Sequence, residues 1–247
     1  MVPEPLGYIL FSFSLAAFLK GITGLGFSTI CLPLLSYVLE PKTAIPLVIL
    51  PSLSSNLFVM VQAGNFIGAL KRFWQVYVCA LPGLMIGVWY LYRVDSAVSR
   101  ACLGIILVLY ALWALTHPEG TFVRNRERRL GGPVGFCTGI INGLTGSQIM
   151  PVLPYMLSLR IDKDTFIQSI NLFFTISSLT MILLLGRYDL MTENTLAVSV
   201  PGIAFVGLGI VTGGKLRKYL PEDRYKTIVL IFLLLTGAFL IFRMGLS

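Results

Sequence analysis

The stretch Gly21-Ile22-Thr23-Gly24-Leu25-Gly26 decides the fold, because it interrupts an apolar run that covers residues 6–38. That run is longer than the roughly 20 residues with which one straight helix crosses a bilayer. A second long run, residues 131–159, is interrupted at the matching place by Gly139-Ile140-Ile141-Asn142-Gly143-Leu144-Thr145-Gly146. We therefore predict that each long run contains a broken helix.

The rest of the chain indicates an all-α integral membrane protein. Hydrophobic residues make up 56% of the 247 residues and charged residues only 12%, whereas soluble domains average about 25% charged residues. The mean hydropathy is +0.84, so lipid must cover most of the surface. Shorter apolar stretches, each long enough for one spanning helix, lie at residues 43–63, 73–92, 98–116, 165–186, 194–213 and 225–243.

The chain contains an internal repeat. Beyond the two breaks, Leu81-Pro82-Gly83 in the first half matches Val200-Pro201-Gly202 in the second. Each half would then hold one broken segment and three transmembrane helices. We predict a first membrane repeat at 1–116, a basic cytoplasmic linker at 117–132 and a second membrane repeat at 133–247.

The relative orientation of the halves depends on whether the broken segments span the membrane or turn back as re-entrant hairpins. Spanning segments would make the halves parallel, and hairpins would make them inverted. Lys20 aside, the hairpin arrangement puts 13 of the other 18 Lys and Arg residues on one side, as the positive-inside rule favours. The sequence therefore predicts inverted repeats in the cell (inner) membrane, with both termini on the non-cytoplasmic side.

The two breaks are the predicted binding site. Transporters with inverted repeats bind their substrate near the midplane, at the ends of broken helices, and helix N-termini suit anions. The alternative is that the glycines only allow close helix packing. The candidate residues in and beside the breaks are Thr23, Gly24, Gly26, Ser28, Asn142, Gly143, Thr145, Gly146, Ser147 and Gln148.

Three further candidates carry charge or an amide in otherwise apolar surroundings. Lys20 directly precedes the first break, where it would attract an anion, although a lysine can also extend to the membrane interface. Asn56 and Asn171 lie in the second helix of each half. Amides in hydrocarbon are costly without partners, so these two are assigned to a polar cavity, while other polar residues of these helices fit interhelical hydrogen bonding.

Several function classes are disfavoured. All eleven acidic residues lie in termini, loops or segment ends, and His117 is the single histidine. No set of residues typical of an enzyme, a metal site or a nucleic-acid-binding surface is present, and the four cysteines have no CxxC spacing. We therefore expect no catalysis, no cofactor, no metal and no nucleic-acid partner. The expected partners are a small anionic substrate and the bilayer, and a homodimer is left open.

The stretch Lys20-Gly21-Ile22-Thr23-Gly24-Leu25-Gly26-Phe27, followed by Leu32-Pro33-Leu34-Leu35, resembles the first glycine-rich signature of the TauE/SafE group of sulfite and organosulfonate exporters. The segment from Pro201 to Gly214, with its basic turn and last apolar helix, is also similar to that family. The resemblance implies export of a small sulfur-containing oxyanion. Two departures from the family's pattern bear on the substrate. In such proteins a neutral polar residue often stands at the position of Lys20, and they have a run of three glycines where the second break of this chain has none.

The sequence thus predicts a secondary transporter that moves a small anion, such as sulfite, sulfoacetate or a related organosulfonate, by alternating access. Two alternatives belong to other classes. One is a passive anion channel, and the other is a membrane assembly subunit that transports nothing.

Overall fold

The computed structural model describes residues 6–24, 26–116, 127–159, 161–217 and 222–244. These residues form helices joined by short connections, and this described part contains no strand. The helices are α1 (Leu6–Thr23), α2 (Phe27–Leu35), α3 (Pro41–Ala63), α4 (Phe66–Arg93), α5 (Ser96–Thr116), α6 (Glu127–Thr145), α7 (Val152–Ser158), α8 (Lys163–Arg187), α9 (Glu193–Arg217) and α10 (Glu222–Met244).

The predicted all-α membrane fold is confirmed. Six helices, α1, α3, α4, α5, α8 and α9, are long and apolar enough to cross a membrane, and Val229–Phe242 of α10 is a shorter apolar helix. Both long runs are broken, the first between α1 and α2 and the second between α6 and α7. Most of the predicted linker lies outside the described residues, and its last part, residues 127–132, belongs to α6.

The first broken segment turns back on itself. The Tyr8 Oη, near the start of α1, donates a hydrogen bond to the Leu34 carbonyl, near the end of α2, at 2.9 Å. The rings of Phe13 and Phe27 also contact each other, with centroids 6.2 Å apart. Since α2 has nine residues and so extends only about 13 Å, it covers part of the depth of α1. This geometry favours the hairpin arrangement over a second full span.

The two breaks share one backbone motif. The Gly24 N–H donates to the Lys20 carbonyl at 2.6 Å, and the Gly146 N–H donates to the Asn142 carbonyl at 2.7 Å. Both glycines have positive φ, 80° and 73° respectively. A left-handed residue directly after a helix ends it and is costly for any residue with a Cβ. Glycine is therefore required where each helix stops.

Contacts at the helix ends define the course of the chain. At what we call the first end, Ser96 Oγ donates to Glu40 Oε2 at 2.9 Å, and the rings of Tyr92 and Tyr188 stack at 5.0 Å. At the second end, Asn65 Nδ2 donates to Thr165 Oγ1 at 3.0 Å.

Helix α3 therefore runs from the first end to the second, while α8 starts at the second end and finishes at the first. These two helices occupy matching places in the two halves. Their antiparallel course is compatible with inverted repeats. Which end faces the cytoplasm stays a prediction.

Helices from different halves pack in pairs: α4 with α6, α1 with α9, α3 with α8 and α5 with α10. The α4–α6 contact is backbone against backbone. A Cβ placed on Gly139 would lie 2.2 Å from the Ala80 carbonyl oxygen, and one on Gly83 would lie 2.2 Å from that of Phe136. Small residues let membrane helices approach this closely, so the packing interpretation of the glycines holds for this face of α6.

We expect Asp162→Ala to lower the melting temperature at neutral pH. Asp162 is the N-cap of α8, where its Oδ1 accepts a hydrogen bond from the Thr165 N–H at 2.9 Å, and the alanine variant leaves that N–H without its cap. The same hydrogen bond lowers the pKa of the exposed Asp162 carboxyl. A depressed folded-state pKa gives stabilisation that is present above the unfolded-state pKa and lost as pH falls through the folded one.

Thermal unfolding in detergent, measured from neutral to acidic pH, checks this prediction. The melting temperatures of Asp162→Ala and the wild type should converge at acidic pH. Asp164→Ala removes a neighbouring carboxyl from the first turn of α8 without removing the N-cap, and it serves as control. Identical melting temperatures of Asp162→Ala and wild type at neutral pH would contradict the cap's role.

Candidate functional site

A band of buried polar side chains lies on α3 and α8, the pair of helices that occupy matching places in the two halves. Each of these side chains is at most 5% exposed. We call this band the polar seam. Its members are Ser52, Ser55 and Asn56 on α3 and Gln168, Ser169, Asn171, Thr175, Ser177 and Ser178 on α8.

The register of the two helices follows from Gln168. With its amide nitrogen turned toward α3, Gln168 donates to the carbonyls of Met60 at 2.8 Å and Gly64 at 3.1 Å. Asn171 and Thr175 follow Gln168 by three and seven positions, so they lie on the same face of α8. Since α3 and α8 are antiparallel, this face brings Asn171 and Thr175 alongside the stretch of α3 that precedes Met60, which contains Ser52 to Asn56.

Lys20 reaches the seam from α1. Its side chain is 0% exposed, and its Nζ donates to Ser55 Oγ at 3.0 Å and to Asn56 Oδ1. Ser55 Oγ uses its own hydrogen to bond the Ser52 carbonyl at 2.6 Å, so it can only accept from Lys20. An ammonium group has three donors, and these two neutral oxygens accept from two of them.

Lys20 is enclosed by protein and does not extend to an exposed surface, while its depth in the membrane stays a prediction. Acidic side chains in the described part of the chain, such as Glu40 and Asp162, lie at helix ends. The hydrogen-bond partners of Lys20 are neutral, and an ionised group buried among neutral partners is costly. An anion beside Lys20 would offset that cost, so Lys20 stays a candidate for an anion site.

Gln148 reaches the seam from the second break. Its side chain is 2% exposed, and its Nε2 donates to Ser178 Oγ at 3.2 Å. Lys20 from the first half and Gln148 from the second half thus both end on the α3–α8 pair. The two broken segments contribute to one region of the molecule through these two side chains.

Unpartnered polar atoms concentrate in the same region. Within the described residues, ten buried side-chain nitrogen or oxygen atoms have no hydrogen-bond partner, and eight of these belong to the seam or the second break. Such atoms are rare in folded proteins and costly, so their clustering favours a site that is completed by a polar ligand or water. The eight are Asn56 Nδ2, both amide atoms of Asn142, Ser147 Oγ, Ser169 Oγ, Asn171 Oδ1, Thr175 Oγ1 and Ser177 Oγ.

Other predicted site residues have local structural roles. Thr145 Oγ1 donates to the Ile141 carbonyl at 2.7 Å and accepts from the Ser147 N–H at 3.2 Å, which closes the end of α6. Gly143 faces α4, where an added Cβ would lie 2.7 Å from the Leu84 carbonyl oxygen. These two residues shape the second break rather than point polar groups into the seam.

The remaining candidates surround the first break. Thr23 is the last residue of α1, and Gly24 and Gly26 have positive φ. Gly26 is also the N-cap of α2, which has no side-chain cap, and Ser28 is buried in the first turn of that helix. These residues lie within one break, and Lys20 beside them contacts the seam.

Sequence reasoning left Ser55 and Ser178 out of the site and assigned them to interhelical hydrogen bonding. The structure shows that they hold Lys20 and Gln148. A signal for them existed, because the second helix of each half carries an unusually polar run, Ser52 to Asn56 and Gln168 to Ser178. The sequence alone could not tell which of those hydroxyls meets a side chain from a break.

The long apolar helices and the broken segments define a multi-pass helical membrane protein. The chain belongs to the sulfite exporter TauE/SafE family, because the family model described as "Sulfite exporter TauE/SafE" matches residues 9–240. That match covers nearly the whole chain and agrees with the resemblance seen in the sequence. No curated protein and no solved structure matches the chain.

Proposed function

We propose that this protein moves a small monovalent or divalent sulfur oxyanion, sulfite or an organosulfonate, across the membrane by alternating access, and that the polar seam binds it. The observation that carries the proposal is the fully buried Lys20, whose hydrogen-bond acceptors are two neutral oxygens. A third N–H of its ammonium group is available to an anion. The charge-assisted hydrogen bond formed there would be stronger than a neutral one.

The position of the seam supports alternating access. It lies on two antiparallel helices from opposite halves and receives one side chain from each broken segment. Transporters with inverted repeats bind substrate at such a junction and open it to the two sides in turn. Since α1 packs on α9 and α6 packs on α4, each broken segment would move together with a helix of the other half.

Flux through proteoliposomes that contain the purified chain tests the proposal. We expect sulfite and organosulfonate uptake that saturates with substrate concentration and depends on protein. Saturable flux without a measurable single-channel current identifies a carrier, whereas a conductance far above carrier turnover identifies a passive anion channel. Neither flux nor binding of any sulfur oxyanion would leave the assembly subunit as the remaining interpretation.

A further inference from the structure

The two asparagines of the seam have fixed and opposite orientations. Asn56 Oδ1 accepts from Lys20, so the amide nitrogen, a donor, is the atom without a partner. Asn171 Nδ2 donates to the Ile167 carbonyl at 2.8 Å, so the amide oxygen, an acceptor, is the unpartnered atom. Rotating either amide by 180° would break its existing hydrogen bond. Together with the cation of Lys20, the seam therefore presents one fixed donor, Asn56 Nδ2, and one fixed acceptor, Asn171 Oδ1.

A fixed acceptor in an anion site has a consequence for the substrate. The Asn171 oxygen can be satisfied only by a hydrogen that the ligand, or a water, donates. A plain sulfonate has oxygen acceptors alone, so its binding would leave this buried oxygen unpaired. By contrast, Thr175 and Ser177 are hydroxyls that can turn to donate or accept, so they adapt to either kind of ligand.

We infer that the seam selects an organic sulfonate with a single negative charge and a hydroxyl group near it, the sulfonate facing Lys20 and the Asn56 nitrogen and the hydroxyl donating to the Asn171 oxygen. This inference rests on the proposed function of the seam as the substrate site. A second negative charge on the substrate would have no second cation among the described seam residues. An ammonium group in place of the hydroxyl would be repelled by Lys20.

Two sulfonates of matched size test the inference: 2-hydroxyethanesulfonate, and propane-1-sulfonate, in which a methyl group replaces the hydroxyl. Their affinities for the purified full-length chain in detergent are measured by isothermal titration calorimetry. We expect the hydroxylated compound to bind roughly ten-fold more tightly, because the other leaves a buried acceptor unpaired. In Asn171→Leu the ratio of the two affinities should fall to about one.

Thr180→Val is the matched control. It also removes a polar group from α8, but its hydroxyl is bonded within that helix, to the Ile176 carbonyl at 2.9 Å, so the affinity ratio should stay as in the wild type. If Asn171→Leu fails to fold, the inference is still tested by the wild-type ratio. Equal affinities in the wild type, or binding of neither compound, overturn it.

Lys20→Met separates this inference from the proposed function. If that variant loses binding of both sulfonates while Asn171→Leu keeps the wild-type ratio, the anion site stands and the role of Asn171 is refuted. If Lys20→Met binds both compounds as the wild type does, the seam is not the anion site and both proposals fail.

Discussion

Lys20→Met should reduce anion flux in proteoliposomes by about 100-fold or more, since a buried charge-assisted hydrogen bond to a ligand contributes roughly 3 kcal/mol. Methionine has nearly the length of lysine without its charge. The wild-type Lys20 donates to Ser55 and Asn56 and brings a cationic group to the seam, whose own members are neutral. Removing it leaves the site polar but uncharged.

Folding and transport respond differently to this change, which makes the result interpretable. Removing a buried charge that has no ionic partner relieves a desolvation cost of several kcal/mol, which is at least as large as the cost of leaving the Ser55 and Asn56 oxygens without their donor. We therefore expect the melting temperature of Lys20→Met in detergent to equal or exceed that of the wild type while flux is lost. Lost flux together with a much lower melting temperature would point to a structural role instead.

Lys42→Met is the matched control, because Lys42 Nζ donates to the Tyr92 carbonyl at 3.2 Å at the first end of the bundle, away from the seam. Its flux should stay within about two-fold of the wild type, as an exposed charge contributes little. Wild-type flux in Lys20→Met would refute the seam as the anion site.

The second large effect that we expect is a loss of stability in Gly139→Ala. The new methyl group would stand 2.2 Å from the Ala80 carbonyl oxygen and near the Leu84 nitrogen. Since these are backbone atoms of α4, the helices must separate to admit it. Overpacking of this kind costs about 1–3 kcal/mol, and we expect a correspondingly lower melting temperature in detergent, measured by tryptophan fluorescence.

Gly207→Ala is the same substitution, but we expect it not to lower the melting temperature. Gly207 also lies inside a helix, α9, but an added Cβ there would meet no atom within 4 Å. Alanine is favoured over glycine in a helix by up to about 1 kcal/mol, so this variant should be as stable as the wild type or more stable. If the two variants shift the melting temperature alike, close packing of α4 on α6 is not what Gly139 provides.

Much of the fold could be predicted because a membrane helix is specified locally. Each apolar stretch needs only about 20 residues of suitable hydropathy. The predicted stretches differ from the helices by a few residues at their ends, except that α4 begins at Phe66 and not at residue 73. Glycine in each broken run marked the end of α1 and of α6, where φ is positive at Gly24 and Gly146. The family resemblance, read from the glycine-rich signature, agrees with the family match over residues 9–240.

The candidate site was only partly predictable. Lys20 and Asn56 were singled out separately, one as an intramembrane charge and the other as a buried amide, and the structure joins them by a hydrogen bond across 36 residues. Asn142 and Ser147 carry unpartnered buried atoms. Gly143 and Thr145 have local packing and capping contacts that a motif cannot distinguish from ligand contacts.

The sequence by itself determined that this protein is a helical membrane transporter of the TauE/SafE family with two broken segments. These properties follow from hydropathy and backbone conformation, which act over one or a few helical turns. The tertiary structure alone decided that α3 and α8 lie side by side, with Lys20 and Gln148 directed at them. That arrangement depends on which helix surfaces fit closely, as α4 fits α6 at Gly83 and Gly139, and such complementarity joins residues far apart in the chain.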